Sequence, residues 1–345
     1  MNPSSSASSI PTMMRKNLDD TSPIRCVEFF EIPPRTPGAP PPAEMIDGLR
    51  AALAAATAGT LVIHRPQRLS EPLPRGEGHF HLAPELFLQL SGWTDFRFPQ
   101  GHCRLLPGQA LVVPPQLRHD ERVGRGDQGE PFCNLVLYAE APSLTCHLAH
   151  ELSPGRPGIR HLEACEHAQV GRMHDWLFDA SRSPEVPADP VAPAWGDVQA
   201  RALVAATVAG VLHLLQDQDS QSGREPPLIA RLRVLIQNQL GDHTLSVCRL
   251  AEQSGCTADY LSHLFREVTG EALIGCINRL RMERASRLLR ETTLAGKEVA
   301  WACGFTAPSY FIRTFRAHHG VTPKQWRDGP AAAPAGINRP ISLPG

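Results

Sequence analysis

Residues 250 to 320 contain one pattern twice, and each copy reads as a helix, a tight glycine turn and a second helix. The first copy runs Leu250-Ala251-x-x-x-Gly255-x-Thr257-x-x-x-Leu261-x-x-x-Phe265-Arg266-x-x-x-Gly270. The second runs Val299-Ala300-x-x-x-Gly304-x-Thr306-x-x-x-x-Phe311-x-x-x-Phe315-Arg316-x-x-x-Gly320. Ala251 and Ala300, Gly255 and Gly304, and Thr257 and Thr306 are 49 apart, whereas Leu261 and Phe311, Phe265 and Phe315, and Gly270 and Gly320 are 50 apart. One extra residue is therefore expected at the start of the second recognition helix. A small Ala lets two helices cross closely, Gly supplies the positive φ of the turn, and Thr offers an oxygen to the free N–H groups opening the next helix. Two such units in tandem, joined by the helix-forming stretch 272–290, imply an all-α region that binds DNA.

Residues 228–328 resemble the DNA-binding domain of AraC/XylS-type transcriptional regulators. The resemblance rests on "LAEQSGCTADYLSHLFREVTG", "NRLRMERASRLLRET" and "KEVAWACGFTAPSYFIRTFRAHHGVTPKQWR", and is most specific at Gly320-Val321-Thr322-Pro323 with Trp326-Arg327. Gly296 departs from it, standing where the family has an apolar residue; glycine there is expected to weaken a helix start by about 1 kcal/mol.

Charge distribution agrees with a nucleic-acid partner although the total does not. The formal charge of the 345-residue chain is −1, but residues 228–328 carry 14 Lys/Arg against 9 Asp/Glu, a net +5 that leaves −6 elsewhere. Nine cysteines occur without a CxxC pair or other zinc spacing, as expected of reduced thiols in a cytosol. No run of eighteen apolar residues and no signal-peptide core is present, so a cytoplasmic protein without a membrane partner is expected.

The chain divides by composition. Residues 1–45 are Ser/Pro-rich and expected to be extended or disordered, apart from a possible strand at Ile24–Phe30. Residues 46–155 open on a helix (Ala43–Ala58) and continue in short alternating runs, "LVIHR", "LFLQL", "DFRFP", "ALVVP" and "NLVLYAE", which suggest a barrel or sandwich. Residues 156–218 carry helical patterns near Glu163–Ala180 and Asp197–Gln218, read as a dimerisation segment or, alternatively, as helices packed on their own barrel. Residues 219–227 read as a linker, 228–328 as the DNA-binding domain and 329–345 as a flexible tail. The fold class is multidomain α+β.

Within the N-terminal region, His79-x-His81-x-x-x-Glu85 followed by Gly92, and then Gly108, Pro114 and His119, look like the two motifs of a cupin barrel. Gln116 departs from them, standing where the second motif usually has Gly. Residues two apart on a strand face the same way, so His79 and His81 can both point inward. With Glu85 and His119 they would form a shell of three histidines and one carboxylate suited to a divalent transition metal. The alternative is a metal-free effector pocket, no cofactor being required. Phe87, Gln89, Trp93, Phe96 and Phe98 are weaker pocket candidates that also suit a core.

In each unit the second helix is expected in the major groove. Ala258, Asp259, Ser262, His263 and Arg266 face outward on the first, and Pro308, Ser309, Ile312, Arg313 and Arg316 on the second. Arg313 suits guanine O6/N7, Ser262 and His263 single base contacts, and Ile312 a thymine methyl, while Arg266 and Arg316 suit phosphate. The expected protein is an effector-responsive transcription factor, an activator in the family's commoner role, with double-stranded DNA, RNA polymerase, a small-molecule effector and a second copy of itself as partners. The competing reading is a metal-dependent cupin enzyme with an appended DNA-binding domain; a ligand-independent architectural DNA binder is a third.

Overall fold

The strands alternate between two cores. A computed structural model describes residues 41–66, 78–140, 142–182, 195–216 and 226–329. Ile24–Phe30, the tail beyond 329 and all but the last two residues of the expected linker lie outside these.

After α1 (Ala43–Thr57) come β1 (Val62–His64), β2 (Glu85–Ser91), β3 (Trp93–Phe98), β4 (Gly101–Leu105), β5 (Gln109–Val113), β6 (Asp120–Gly124), β7 (Cys133–Glu140), β8 (Ser143–Ser153) and β9 (Arg156–Glu166). They form a six-stranded sheet in the order β1-β5-β2-β7-β8-β9 and a three-stranded sheet, β4-β3-β6. β1 and β5 are parallel, while every other pairing is antiparallel. The described residues do not close a single barrel. Leu86 and Leu88 on β2, and Leu135 and Leu137 on β7, face a helical layer; Phe87 and Val136, one residue out of step, pack with Phe96 and Leu105 of the small sheet. The polar site lies on that second face, between the sheets.

The helical layer consists of α1, α2 (Val170–Ala180) and α3 (Trp195–Gln216). Val204, Val208, Val211 and Leu215 of α3 join Met45 and Leu49 of α1 and Met173 and Leu177 of α2 in one core with the sheet. The apolar face on which dimerisation was expected is thus spent within the chain. By length and composition α3 could cross a membrane, yet that face is buried here.

Two sequence expectations shift. Residues 156–166 form a strand that belongs to the sheet, so the strand-rich N-terminal region extends past residue 155 and helix begins only at Val170. The signal is Pro154-Gly155, a turn whose glycine has φ 77°, joining β8 to β9. Gln116 has φ 65°, the left-handed region that glycine fills without strain, and its N–H donates to the His81 carbonyl at 2.7 Å.

The C-terminal domain contains α4 (Pro227–Gln239), α5 (Val247–Gln253), α6 (Ala258–Thr269), α7 (Leu273–Glu291), α8 (Gly296–Ala302), α9 (Pro308–His319) and α10 (Pro323–Asp328). α7 joins two cores, one around Leu250, Leu261 and Phe265 and one around Val299, Phe311 and Phe315. α10 locks the second: Trp326 Nε1 donates to Ser286 O at 3.2 Å and Arg327 Nε to Leu289 O at 3.0 Å.

Replacing Gln116 by Gly should remove the left-handed strain and raise stability by about 1 kcal/mol. Urea unfolding of the two chains checks this; a lower midpoint for Gln116→Gly would show that the side chain contributes more than its backbone loses.

Candidate nucleic-acid interface and buried polar site

Both helix-turn-helix units form where the repeat places them, with Gly255 at φ 68° and Gly304 at φ 76° in the turns. Their recognition helices start differently. Thr257 caps α6, its hydroxyl accepting from Tyr260 N at 3.3 Å. In the second unit Ala307 occupies the cap, with no side-chain acceptor, and Pro308 is the first helical residue. The extra residue therefore falls in the turn, not in the helix, and Thr306 is displaced from the cap. Proline, lacking an N–H, is tolerated at the first helical position and fixes the start there. Both helices have 12 residues and end at left-handed glycines, Gly270 and Gly320.

Leu261 and Phe265, and Phe311 and Phe315, are buried as expected. Asp259, His263, Arg266, Pro308, Ser309, Ile312, Arg313 and Arg316 are exposed, while Ala258 and Ser262 are half-buried. Tyr260 and Tyr310 were missed by sequence reasoning: they are 55% and 47% exposed on the outward faces. They are 50 apart, in register with Leu261 and Phe311, and that register was the available signal. The Arg313 guanidinium lies 5.7 Å from the Tyr310 ring centroid. Gly296 opens α8, with open space where a Cβ would stand. Glu298 accepts from Ala295 N at 2.7 Å.

The two N-terminal motifs meet across a backbone pair. His79 and His119 exchange two N–H···O bonds of 2.8 Å, and each imidazole turns inward. The nearest ligand nitrogens of His79, His81 and His119 lie within 4.8 Å of one another. Glu85 Oε2 stands 3.4 Å from His81 Nε2 and 3.5 Å from His119 Nε2. A tetrahedral ion with bonds of 2.0–2.1 Å has ligand atoms about 3.3 Å apart, so the two Glu85 spacings suit one, and the imidazole nitrogens would close to the same distance around it. Glu121, two residues beyond His119, was missed; its Oε1 is 3.6 Å from His119 Nε2 and 3.9 Å from His79 Nε2.

Burial sets the protonation of this site. It holds His79 and His81 well below their usual range and His119 down at about 4, with neighbouring histidines adding repulsion at His79 and His81. It also pushes Glu85 well up and Glu121 to about 8. Neutral imidazoles with free lone pairs, beside carboxyls that a cation would deprotonate, are metal-competent chemistry. Both ring nitrogens of His81, Nε2 of His119 and both amide atoms of Asn134 are buried without a hydrogen-bond partner, which a bound ion or polar group would relieve.

The adjoining void, lined by His79, Glu121, Asn134, Tyr138 and His147, is only about 40 Å³. A water needs ~10–15 Å³ on such a measure, so an ion with a little water fits and a sizeable organic molecule does not. A larger cavity of about 210 Å³ lies where β7 and β8 approach α4 and α7, lined by Glu140, Arg233, Gln237 and Arg279.

The weaker pocket candidates divide. Gln89 is committed to structure, donating to Ser91 O at 2.8 Å and accepting from Thr94 Oγ1 at 2.8 Å. Trp93 stacks under Arg104, 4.5 Å from the guanidinium. Phe87, Phe96 and Phe98 form a wall with ring centroids 6.2–6.3 Å from that of His119.

A family model described as a helix-turn-helix domain matches residues 250–329. The HTH-type transcriptional regulator CdhR of Pseudomonas aeruginosa is 36% identical over 114 residues, 31% of this chain and 34% of that protein. The HTH-type transcriptional regulator YijO of Escherichia coli strain K12, described as uncharacterized, is 32% identical over 128 residues, 37% of this chain and 45% of that protein. The C-terminal region is an AraC-type helix-turn-helix domain. A solved transcriptional regulator from Chromobacterium violaceum, of the AraC-type DNA-binding domain-containing proteins, is 27% identical, covering 30% of this chain and 90% of that one with a TM-score of 0.28. The chain thus matches about a third to less than half of the length of these curated relatives. They are named as regulators, and the enzyme alternative finds no support among them.

The buried site, whose carboxyls and imidazoles are shifted by burial, gives stability a pH dependence. Above pH 4.5 an unfolded Glu121 ionises, whereas the folded one stays protonated up to about 8, and the folded state loses stability across that window. The histidines act oppositely, destabilising the fold as pH falls below 6.5. Glu121→Gln should therefore gain stability over the parent progressively from pH 4.5 to about 8 and level off above it. Denaturant melts across that range test this; a constant difference would contradict it.

Proposed function

We propose that this protein is a sequence-specific DNA-binding transcriptional regulator, an activator, whose cupin-like N-terminal domain responds to a small ligand. One observation carries the reading: two glycine-turned helix pairs hold their second helices with polar and aromatic faces exposed and apolar faces buried. Arg313 suits a guanine edge, Ile312 a thymine methyl, and Tyr260 and Tyr310 sugar or base faces; Arg266 and Arg316, near the helix C-termini, suit phosphate. Two units in one chain would occupy successive major grooves on one side of the duplex, roughly 34 Å apart.

The effector, RNA polymerase and a second protomer belong to the same proposal. An organic effector of appreciable size fits the 210 Å³ cavity better than the void beside the histidines. A homodimer would use surface other than the buried face of α3, and Trp195 and Val198, 69% and 50% exposed, mark where its apolar surface remains.

A second reading concerns the buried polar site and is favoured by its nitrogen spacing and small void: His79, His81, His119 and Glu85 hold a divalent transition metal. Such an ion would supply charge that draws the carboxylates and imidazoles together; the residues would position it, with room in the adjoining void for a little water.

Selection of bound sequences from a random pool tests the regulator reading. Arg313→Ala should relax preference at one base position, by about 1–3 kcal/mol, while Arg316→Ala weakens all sites evenly; an altered sequence preference for Arg316→Ala would reverse the assignment. Metal analysis of untagged protein purified with metal supplied should give close to one ion per chain, reduced in His81→Ala, whereas a content near zero would end the metal reading.

A further inference from the structure

The segment that supplies His79 and His81 has a second face. Alternation along an extended chain sends Phe80 and Leu82 away from the histidines, and both are buried in the core of the AraC-type domain with Ile229, Leu232 and Ile236. The Arg284 guanidinium lies over the Phe80 ring, 3.2 Å from its centroid. The ring edge closes on Gly241, where a Cβ would stand 2.7 Å from a ring carbon, so only glycine admits it. Arg287 Nη1 donates to the Leu82 carbonyl at 3.2 Å.

These contacts converge on one place. Gly241 lies in the turn after α4, Arg284 and Arg287 are on α7, and Arg284 Nε donates to the carbonyl of Ala302, the last residue of α8, at 3.3 Å. The first unit, the connecting helix and the second unit all meet there. The recognition faces stay exposed while Phe80 is seated, so it acts from behind the reading surface.

We propose that Phe80 and Leu82 form a docking knob through which the histidine strand holds the AraC-type domain against the sensor domain and fixes the junction of its two units. This rests on the regulator reading and deepens it. The backbone of His79 is paired in both directions with His119 across the buried site. A group drawing His79, His81 and His119 together moves Phe80 and Leu82 with them, because one or two peptide units separate the two sets. Linkage then follows from the different strength of the dock in the two states.

Hydrogen exchange on the full chain and on Phe80→Leu, Phe80→Ala and Arg287→Ala tests the dock. In Phe80→Ala, amides of residues 240–243 and 302–305 should exchange about tenfold faster while strands β2 and β7 keep their protection. Arg287→Ala should move the same segments by less, and Phe80→Leu should stay near the parent. DNA affinity on a site selected by the parent should fall in the order of the exchange effects. Unchanged exchange at both segments in Phe80→Ala and Arg287→Ala would overturn the proposal, and if Phe80→Ala does not fold, Arg287→Ala decides alone. A parent chain that selects no DNA sequence would refute the regulator reading, while the exchange comparison still decides whether the knob holds the junction.

Discussion

The buried guanidinium groups of α7 are the interaction on which the DNA-binding half depends. Arg284 is 1% exposed and Arg281 8%, positions where an unpaired charge would cost several kcal/mol. Each finds carbonyl oxygens at the end of a helix. Arg281 donates to Leu240 O at 3.2 Å and Asp242 O at 2.8 Å, beyond the end of α4, and Arg284 reaches Ala302 at the end of α8. Helix C-termini carry unsatisfied carbonyls and partial negative charge, so a cation there satisfies both needs at once. One helix thereby grips both the turn after α4 and the end of α8, and Arg281 also lies over the Phe305 ring, 5.4 Å from its centroid.

That grip joins two unequal units. The first has a threonine-capped recognition helix and shares its core with Phe80 and Leu82 of the N-terminal region. The second has its own core, a recognition helix begun by Pro308 without a side-chain cap, and a preceding helix begun by Gly296. Its stability leans on α10, whose Trp326 and Arg327 bind carbonyls of α7 and the following turn. We infer a division in which the first unit anchors and the second adds preference.

Much of this was legible in the sequence because the signals were local. Glycines at positive φ and apolar pairs four apart act within one helix-turn-helix and appear where the repeat puts them, as does the threonine cap of the first unit, whereas Thr306 of the second is displaced from its cap by Ala307. The two histidine motifs were legible for the same reason, since strand alternation fixes which side chains share a face. What escaped needed long-range information. Glu121 and Tyr138 enter the site only because β6 and β7 fold over it, and β9 was read as helix because Glu163–Glu166 lacks a marked strand pattern apart from its β8 partner. The short strands left barrel and sandwich open, and the two sheets seen here needed strand pairing, which is decided between strands and not within them. Arg284 looks like a solvated helix residue until Phe80 and Ala302, distant in sequence, surround it.

On the proposed reading, α7 should hold the two recognition helices at one helical turn of DNA. The direct measurement is affinity for a selected site into which about five base pairs, half a turn, are inserted between the two contacted grooves. Binding should drop to that of a site with one groove contact destroyed, and an insertion of about ten base pairs should not restore it, since α7 cannot lengthen. Affinity unaffected by the half-turn insertion would contradict the rigid coupling and leave the two units as independent readers.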